Sequence, residues 1–89
     1  MRLRYSFVVR EVAGMKVAVA VGADHEKFNG MVKLNDTGAF IFERLSEQDG
    51  TIDALAEKLT EQYDVTREVA VECVQHFVQS LRDSDLIDE

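Results

Sequence analysis

Residues 29–40 have the sequence NGMVKLNDTGAF, in which a short apolar strand runs directly into the start of a helix. Strand side chains alternate between the two faces of a sheet, so Met31 and Lys33 share one face. Val32 and Leu34 share the other face, and Leu34 is placed to pack back onto the first helical turns. Three candidate N-caps follow: Asn35, Asp36 and Thr37. We expect this third strand, about residues 30–34, to have a free edge that is the working part of the molecule.

Two further strands precede this stretch. Residues 3–12 alternate between apolar and polar side chains, which predicts a half-buried strand. Ala13-Gly14 supplies a turn, and residues 15–21 return as a second strand, so the pair is predicted to be an antiparallel hairpin. Residues 22–28 predict a polar loop between the hairpin and the third strand.

Three helices are predicted after the strands. The first covers about residues 36–46, and Thr51 caps the second, whose apolar residues recur at helical spacing. Thr66 caps the third, which covers about residues 67–83. The order predicts an α+β fold, βββααα, with a three-stranded antiparallel sheet followed by three helices, in a single domain over residues 1–89.

The third helix is more apolar than a surface helix needs. Its apolar side chains cover an arc of about 200° at 100° per residue, whereas a surface helix needs roughly 100°. Two explanations remain open at this point. Either a visiting partner covers one flank, or the helix is wedged between the sheet and the other helices and uses the whole arc.

No constellation of catalytic or metal-binding residues is evident. Cys73 and His76 lie three residues apart on the third helix, but no second pair with matching spacing completes a zinc site, so we expect a buried thiol beside a surface imidazole. The serines lie in no nucleophile motif, and there is no glycine-rich phosphate loop. We therefore expect no enzyme, no cofactor and no metal.

Charge and cysteine content limit the function classes further. The net charge of −7 is unevenly divided: residues 1–35 carry six Lys/Arg and three Asp/Glu, and residues 36–89 carry four and fourteen. An acidic helical half repels nucleic acid, whose binding depends largely on Lys and Arg. No apolar run is long enough for a bilayer, and the single cysteine fits a reducing compartment, so we expect a cytoplasmic protein.

The strand-to-helix junction and the segments after it resemble the PqqD-like family. The segments that carry the resemblance are residues 34–42 (LNDTGAFIF), 51–56 (TIDALA), 63–65 (YDV) and 74–87, with Phe77 and Leu81. Two departures are visible. Phe42 stands where such sequences often have Trp, and the closing residues 83–86 lack the glycine often seen there; we expect neither to alter the fold.

The resemblance implies a winged-helix-like fold and a peptide-binding adaptor or chaperone from pathways that modify ribosomally made peptides. Such modules bind the leader of a precursor peptide as an added strand and present it to a modifying enzyme, frequently a radical SAM protein. The cleft lies between the third strand and the third helix. On this chain the strand wall comprises Gly30, Met31, Val32, Lys33 and Leu34.

One flank of the third helix suits such a peptide on its own terms. It combines an apolar strip with two cations and an amide, which fits a leader with apolar anchors and acidic residues. Its members are Arg67, Val71, Val74, Gln75, Val78 and Arg82. Strand addition supplies main-chain hydrogen bonds, and Gly30 leaves room for close backbone approach.

Three alternatives compete with a peptide adaptor. Helices 2 and 3 would mimic a helix-turn-helix of a winged DNA-binding protein, although Glu68, Glu72 and Asp83 oppose the two arginines on the third helix. An enzyme is disfavoured by the missing constellation. The open edge would also pair two copies, so we expect a monomer or a weak dimer, and Lys33 fits protection against such pairing as well as it fits peptide binding.

Overall fold

The computed structural model describes residues 1–22 and 30–88. The elements in chain order are β1 (Arg2–Leu3), β2 (Phe7–Val12), β3 (Met15–Ala20), β4 (Met31–Leu34), α1 (Asp36–Glu47), α2 (Ile52–Gln62), α3 (Arg67–Asp83) and β5 (Ile87–Asp88). A three-stranded antiparallel sheet followed by three helices confirms the predicted α+β fold. The loop predicted over residues 22–28 lies, from residue 23 onward, outside the described residues.

A tight hairpin joins β2 to β3. Ala13 and Gly14 have φ angles of 53° and 78°, and two positive angles are what a type I′ hairpin turn requires. Val12 and Met15 pair across the turn. β4 then pairs antiparallel with β3, which gives the strand order β2-β3-β4 and places β4 at one edge.

The first strand is split, which corrects the prediction of one strand over residues 3–12. β1 ends at Leu3 and forms a second, two-stranded sheet with β5. The backbone N–H of Arg4 donates to the carbonyl of Leu86 at 2.8 Å, and the Arg4 guanidinium lies 2.7 Å from the Asp85 carboxylate. These contacts draw the first residues toward the end of the chain and away from the main sheet.

Each helix begins at a predicted N-cap. Of the three candidates before α1, Asn35 takes the role, and its Oδ1 accepts the N–H of Gly38 at 2.7 Å. Thr51 and Thr66 cap α2 and α3 through their hydroxyl oxygens, at 3.1 and 3.2 Å from the backbone nitrogens that donate to them. These side chains satisfy donors that the first helical turn would otherwise leave unpaired.

The core lies between one face of the main sheet and the three helices. Its largest fully buried side chains are Phe42, Ile41, Leu59, Leu81, Leu86, Val74 and Val78. Phe7 of β2 meets Phe42 edge to face, with the ring centroids 5.1 Å apart. Phe42 therefore joins the sheet to α1. None of the described helices is both long and apolar enough to cross a bilayer.

The end of α3 forms a Schellman motif without glycine. Asp85 has a φ of 62°, its N–H donates to the carbonyl of Arg82 at 2.9 Å, and the N–H of Leu86 donates to that of Leu81 at 2.9 Å. Asp tolerates this left-handed conformation better than most residues. The absence of glycine over residues 83–86 thus leaves the helix end intact, as expected.

Candidate functional site

β4 is an edge strand of the main sheet. It pairs with β3 on one side, and within residues 1–22 and 30–88 no strand lies on its other side. An edge strand presents a row of backbone donors and acceptors with which another chain can pair. The open edge expected of the third strand is therefore present in the described part of the chain.

The hairpin fixes which backbone groups of β4 point to the open edge. The two residues that flank a two-residue turn, here Val12 and Met15, form backbone hydrogen bonds with each other. The N–H of Val21 donates to the carbonyl of Ser6 at 3.0 Å, which continues the same pattern. The odd-numbered residues of β3 therefore form their backbone hydrogen bonds with β2. The even-numbered residues of β3 face β4, where they pair with Val32 and Leu34. The two remaining residues direct both N–H and C=O outward: Met31 and Lys33.

A groove runs between β4 and α3, and its two lobes share Asn35, Phe77 and Ser80. The β4 lobe, of about 200 Å³, is completed by Val32, Lys33, Leu81, Ser84 and Leu86. The α1 lobe, of about 360 Å³, is completed by Thr37, Gly38, Ile41, Val69, Glu72, Cys73 and His76. An extended segment along β4 would direct alternate side chains toward these lobes.

Gly38 lets α3 approach α1 closely at the floor of the groove. A Cβ atom at this position would lie 3.0 Å from Cε1 of Phe77 and 2.9 Å from the Asn35 Oδ1 that caps the helix. The contact with Asn35 is shorter than real Cβ atoms show, and the contact with Phe77 would require the ring to shift by a few tenths of an ångström. The missing side chain therefore allows the half-buried Phe77 ring to lie against the first turn of α1, where it lines both lobes.

The structure separates the helix residues predicted for the site from β4. Val74 and Val78 are fully buried, at 0% exposure, and form part of the core. The far flank of α3 faces the start of α2 and Met1; its members are Val71, Gln75 and Arg82. Arg67 lies 3.8 Å from the Asp53 carboxylate on α2. Of the predicted strand residues, Val32 and Lys33 line the groove, whereas the predicted helix residues do not face it.

The near flank of α3 faces β4 and α1 instead. Its members are Val69, Glu72, Cys73, His76, Phe77 and Ser80. The sequence predicted that α3 forms one wall of the cleft, but it did not predict that these side chains of α3 line it. The signal that could have found them is Gly38, because a glycine in the first turn of a helix has a poor propensity there and suggests close packing of another element.

The groove carries little charge among its described residues. Glu72 lies at the α1 lobe, and Lys33 lies at the rim of the β4 lobe, on the face of β4 opposite Val32 and Leu34. Cys73 and His76 both line the α1 lobe and are exposed, which corrects the expectation of a buried thiol. Within residues 1–22 and 30–88 no group of three or more Cys, His, Asp and Glu is arranged to hold a metal ion.

The fold and the groove define a small α+β module with an open sheet edge beside a helix. The chain belongs to the family described as coenzyme PQQ synthesis protein D (PqqD), whose model matches residues 16–87. A comparison with curated proteins finds no match.

Two solved structures have a similar fold. One, described as lasso peptide synthetase B1 complexed with the leader peptide, is 27% identical with a TM-score of 0.69, and 96% of this chain aligns with 93% of that chain. The other, described as TbiB1 in complex with the TbiA(beta) leader peptide, is 16% identical with a TM-score of 0.74, and 99% of this chain aligns with 95% of that chain.

Proposed function

We propose that this chain binds the leader of a ribosomally made precursor peptide as an added strand along β4 and presents it to a separate modifying enzyme. The observation that carries the proposal is the open β4 edge beside a preformed apolar groove. Membership of the PqqD family supports it. So does the likeness to lasso peptide synthetase B1, whose structure is a complex with a leader peptide.

The proposed peptide contacts combine backbone and side-chain recognition. Met31 and Lys33 offer two donors and two acceptors to the incoming strand. Gly30, Val32 and Leu34 complete the strand wall, and Val32 also lines the β4 lobe. On α3 we place the contacts on the near flank, centred on Phe77, and not on the far flank or Arg67. Val74 and Val78 support this wall from the core.

The expected affinity is moderate. Four strand hydrogen bonds contribute about 1 kcal/mol each, and three apolar anchors contribute about 2 kcal/mol each. Association and ordering oppose binding by at least about 4 kcal/mol. The balance of about 6 kcal/mol corresponds to a dissociation constant of tens of micromolar. Such an affinity suits a carrier that must release its peptide to an enzyme.

The enzyme partner and compartment follow from the family resemblance and the composition. The modifying enzyme is proposed to be a radical SAM protein, which carries out the chemistry, while this chain supplies recognition. The single cysteine favours the cytoplasm. We expect the module to act as a monomer when peptide is bound, because the peptide occupies the edge that would pair two copies.

Paired proline variants at the two edges of the sheet test the proposal. Lys33→Pro removes an outward N–H of β4 and blocks strand addition, without removing a hydrogen bond to β3. Glu11→Pro makes the same change at an outward position of β2, the opposite edge. We expect Lys33→Pro to weaken binding of the fluorescently labelled leader peptide at least tenfold and Glu11→Pro to change it less than twofold, as measured by anisotropy.

Both variants should keep cooperative thermal unfolding, because neither removes a bond between strands of the sheet. In the wild-type protein, titration with the leader should shift the amide NMR signals of Met31 and Lys33. An affinity unchanged by Lys33→Pro, or signals on β4 that do not move at saturating peptide, would contradict strand addition at this edge.

A further inference from the structure

The main sheet has a second face that points away from the core. Val9 and Phe7 of β2 pack against the core, and alternation therefore directs Val8, Arg10 and Val12 to the opposite side. Cross-strand pairing extends this side, which we call the outer sheet face, over β3 and β4. None of its residues belongs to the core cluster, but Val17 at its centre is only 3% exposed, and Val8 and Val19 beside it are half-buried.

The outer sheet face is largely apolar. Four large hydrophobic side chains of the described residues are exposed, and three of them lie here: Val12 at 55%, Met15 at 46% and Met31 at 61%. Val12 and Met15 pair at the hairpin end, whereas Met31 lies opposite Val19 at the other end of the face. The fourth, Val69, lines the groove. Clustered exposed apolar side chains mark interaction surfaces more often than scattered ones do. The described residues thus have two such surfaces, of which the groove accounts for one.

The charge of the outer sheet face opposes that of the whole chain. Arg10 and Lys33 lie directly opposite Val17, one on each side of the central strand. They are the charged residues of this face in the described chain, and both are cations, although the net charge of the protein is −7. A partner that buries this face therefore matches it best with apolar groups over the hairpin end, at Val12 and Met15, and acidic groups opposite Arg10 and Lys33.

We infer that the outer sheet face is the docking surface for the modifying enzyme, through an apolar surface of that enzyme edged by Asp or Glu. The inference rests on the proposed function. A second copy of this chain fits the face poorly, because stacking two copies across a two-fold axis would bring two Arg10 and two Lys33 side chains into one interface. Like charges so placed oppose association.

The location of the face allows enzyme and peptide to bind together. The peptide adds in the plane of the sheet, beside β4, whereas a protein on the outer face would approach perpendicular to that plane. Arg10 and Val12 are on β2, at the edge of the sheet opposite the groove. Substitutions there change the outer face without touching the proposed peptide contacts.

The test uses Arg10→Glu and Val12→Glu, with Lys58→Glu as the matched control. Lys58 is an exposed cation on α2, 3.8 Å from Glu61, so its substitution makes the same charge change away from the sheet. The probe is the purified radical SAM enzyme proposed as the partner, with affinity measured by calorimetry and leader binding measured in parallel. Val12 and Arg10 are exposed, so we expect all three variants to fold.

We expect Arg10→Glu and Val12→Glu each to weaken enzyme binding at least tenfold, Lys58→Glu less than twofold, and leader binding to stay within twofold in all three. Enzyme binding that is absent in the wild type, unchanged by both sheet variants, or equally weakened by Lys58→Glu would overturn the inference. So would a wild-type dimer in sedimentation that Val12→Glu dissociates. Failure of the wild-type protein to bind leader would instead refute the proposed function.

Discussion

The two flanks of α3 are made of similar residues and have different surroundings. The far flank, with Val71, Gln75 and Arg82, lies over the start of α2 and the N-terminus. The near flank, with Phe77 and Val69, lies beside an open strand edge. A buried line separates them: Ala70, Val74, Val78 and Leu81.

The contrast shows that an apolar helix flank becomes a binding wall only through its neighbours. Both flanks have valine and amide or hydroxyl side chains, and the far flank has the more favourable charge for an acidic leader. Only the near flank faces backbone donors and acceptors that are open to another strand in the described chain. Strand addition needs that row of hydrogen-bonding groups, so position outweighs composition.

The largest expected effect is a difference in the free energy of unfolding between alanine variants of two glycines, Gly38 beside the near flank and Gly50 beside the far flank. Gly38→Ala places a Cβ against the Phe77 ring and the capping oxygen of Asn35, so it should lower the free energy of unfolding by about 1–2 kcal/mol despite the better helix propensity of alanine. Gly50→Ala meets only Leu45 and Leu55 at 3.4–3.6 Å and should be neutral or slightly stabilising.

Urea unfolding of both glycine variants measures this difference, and peptide anisotropy shows whether the groove changes with it. We expect Gly38→Ala to weaken leader binding as well, because the displaced ring narrows the α1 lobe. Equal stability of the two variants would mean that Gly38 is not needed for the approach of α3 to α1.

A second comparison places the same charge on either flank, two residues apart. Val69→Asp puts a carboxylate into the α1 lobe, where a bound peptide would desolvate it, so leader affinity should fall about tenfold, or about 1.4 kcal/mol. Val71→Asp lies on the far flank and should change leader affinity less than twofold.

Val69 is exposed, so its variant should fold normally, whereas Val71 packs partly against the core and its variant should be less stable. Anisotropy titrations well below each unfolding temperature keep the two effects apart. If Val71→Asp lowered the affinity for the leader more than Val69→Asp did, the far flank would be the binding wall.

The smallest expected effect belongs to Arg67. Its ion pair with Asp53 has an N–O distance of 3.8 Å, and the two side chains are 58% and 83% exposed. Exposed pairs of this kind contribute about 0–1 kcal/mol. Arg67→Gln should therefore change the free energy of unfolding by about 0.5 kcal/mol or less in urea titrations and leave leader affinity unchanged. A clear loss of leader affinity in Arg67→Gln would indicate that Arg67 contacts the peptide after all.

Local signals in the sequence predicted most of the fold. The Ala13-Gly14 turn, the alternation before it and the three N-caps all act over a few residues, and each is present in the structure. The split of the first strand could not be predicted, because a two-residue strand such as β5 has no period to detect. Its partner lies at the other end of the chain.

The strand wall of the candidate site was also within reach of the sequence, whereas the helix wall was not. Periodicity gives the width of the apolar arc of α3 but not the element that covers each side of it. Two long-range contacts decide that: Phe77 against Gly38, and the far flank against α2 and Met1. Val69 on the near flank and Val71 on the far flank are the same residue type, so composition could not decide which flank forms the binding wall.

The pairing of β1 with β5 has a consequence for the order in which the module folds. It joins segments at the two ends of the described chain, and the Arg4 guanidinium bonds the carbonyl of Ile87, 83 residues away. Bringing together segments so far apart in the chain has a high entropic cost, so we expect this contact to form late in folding. Leu86 and Ile87 belong to the core cluster, so during synthesis the core can be complete only after these two residues have left the ribosome.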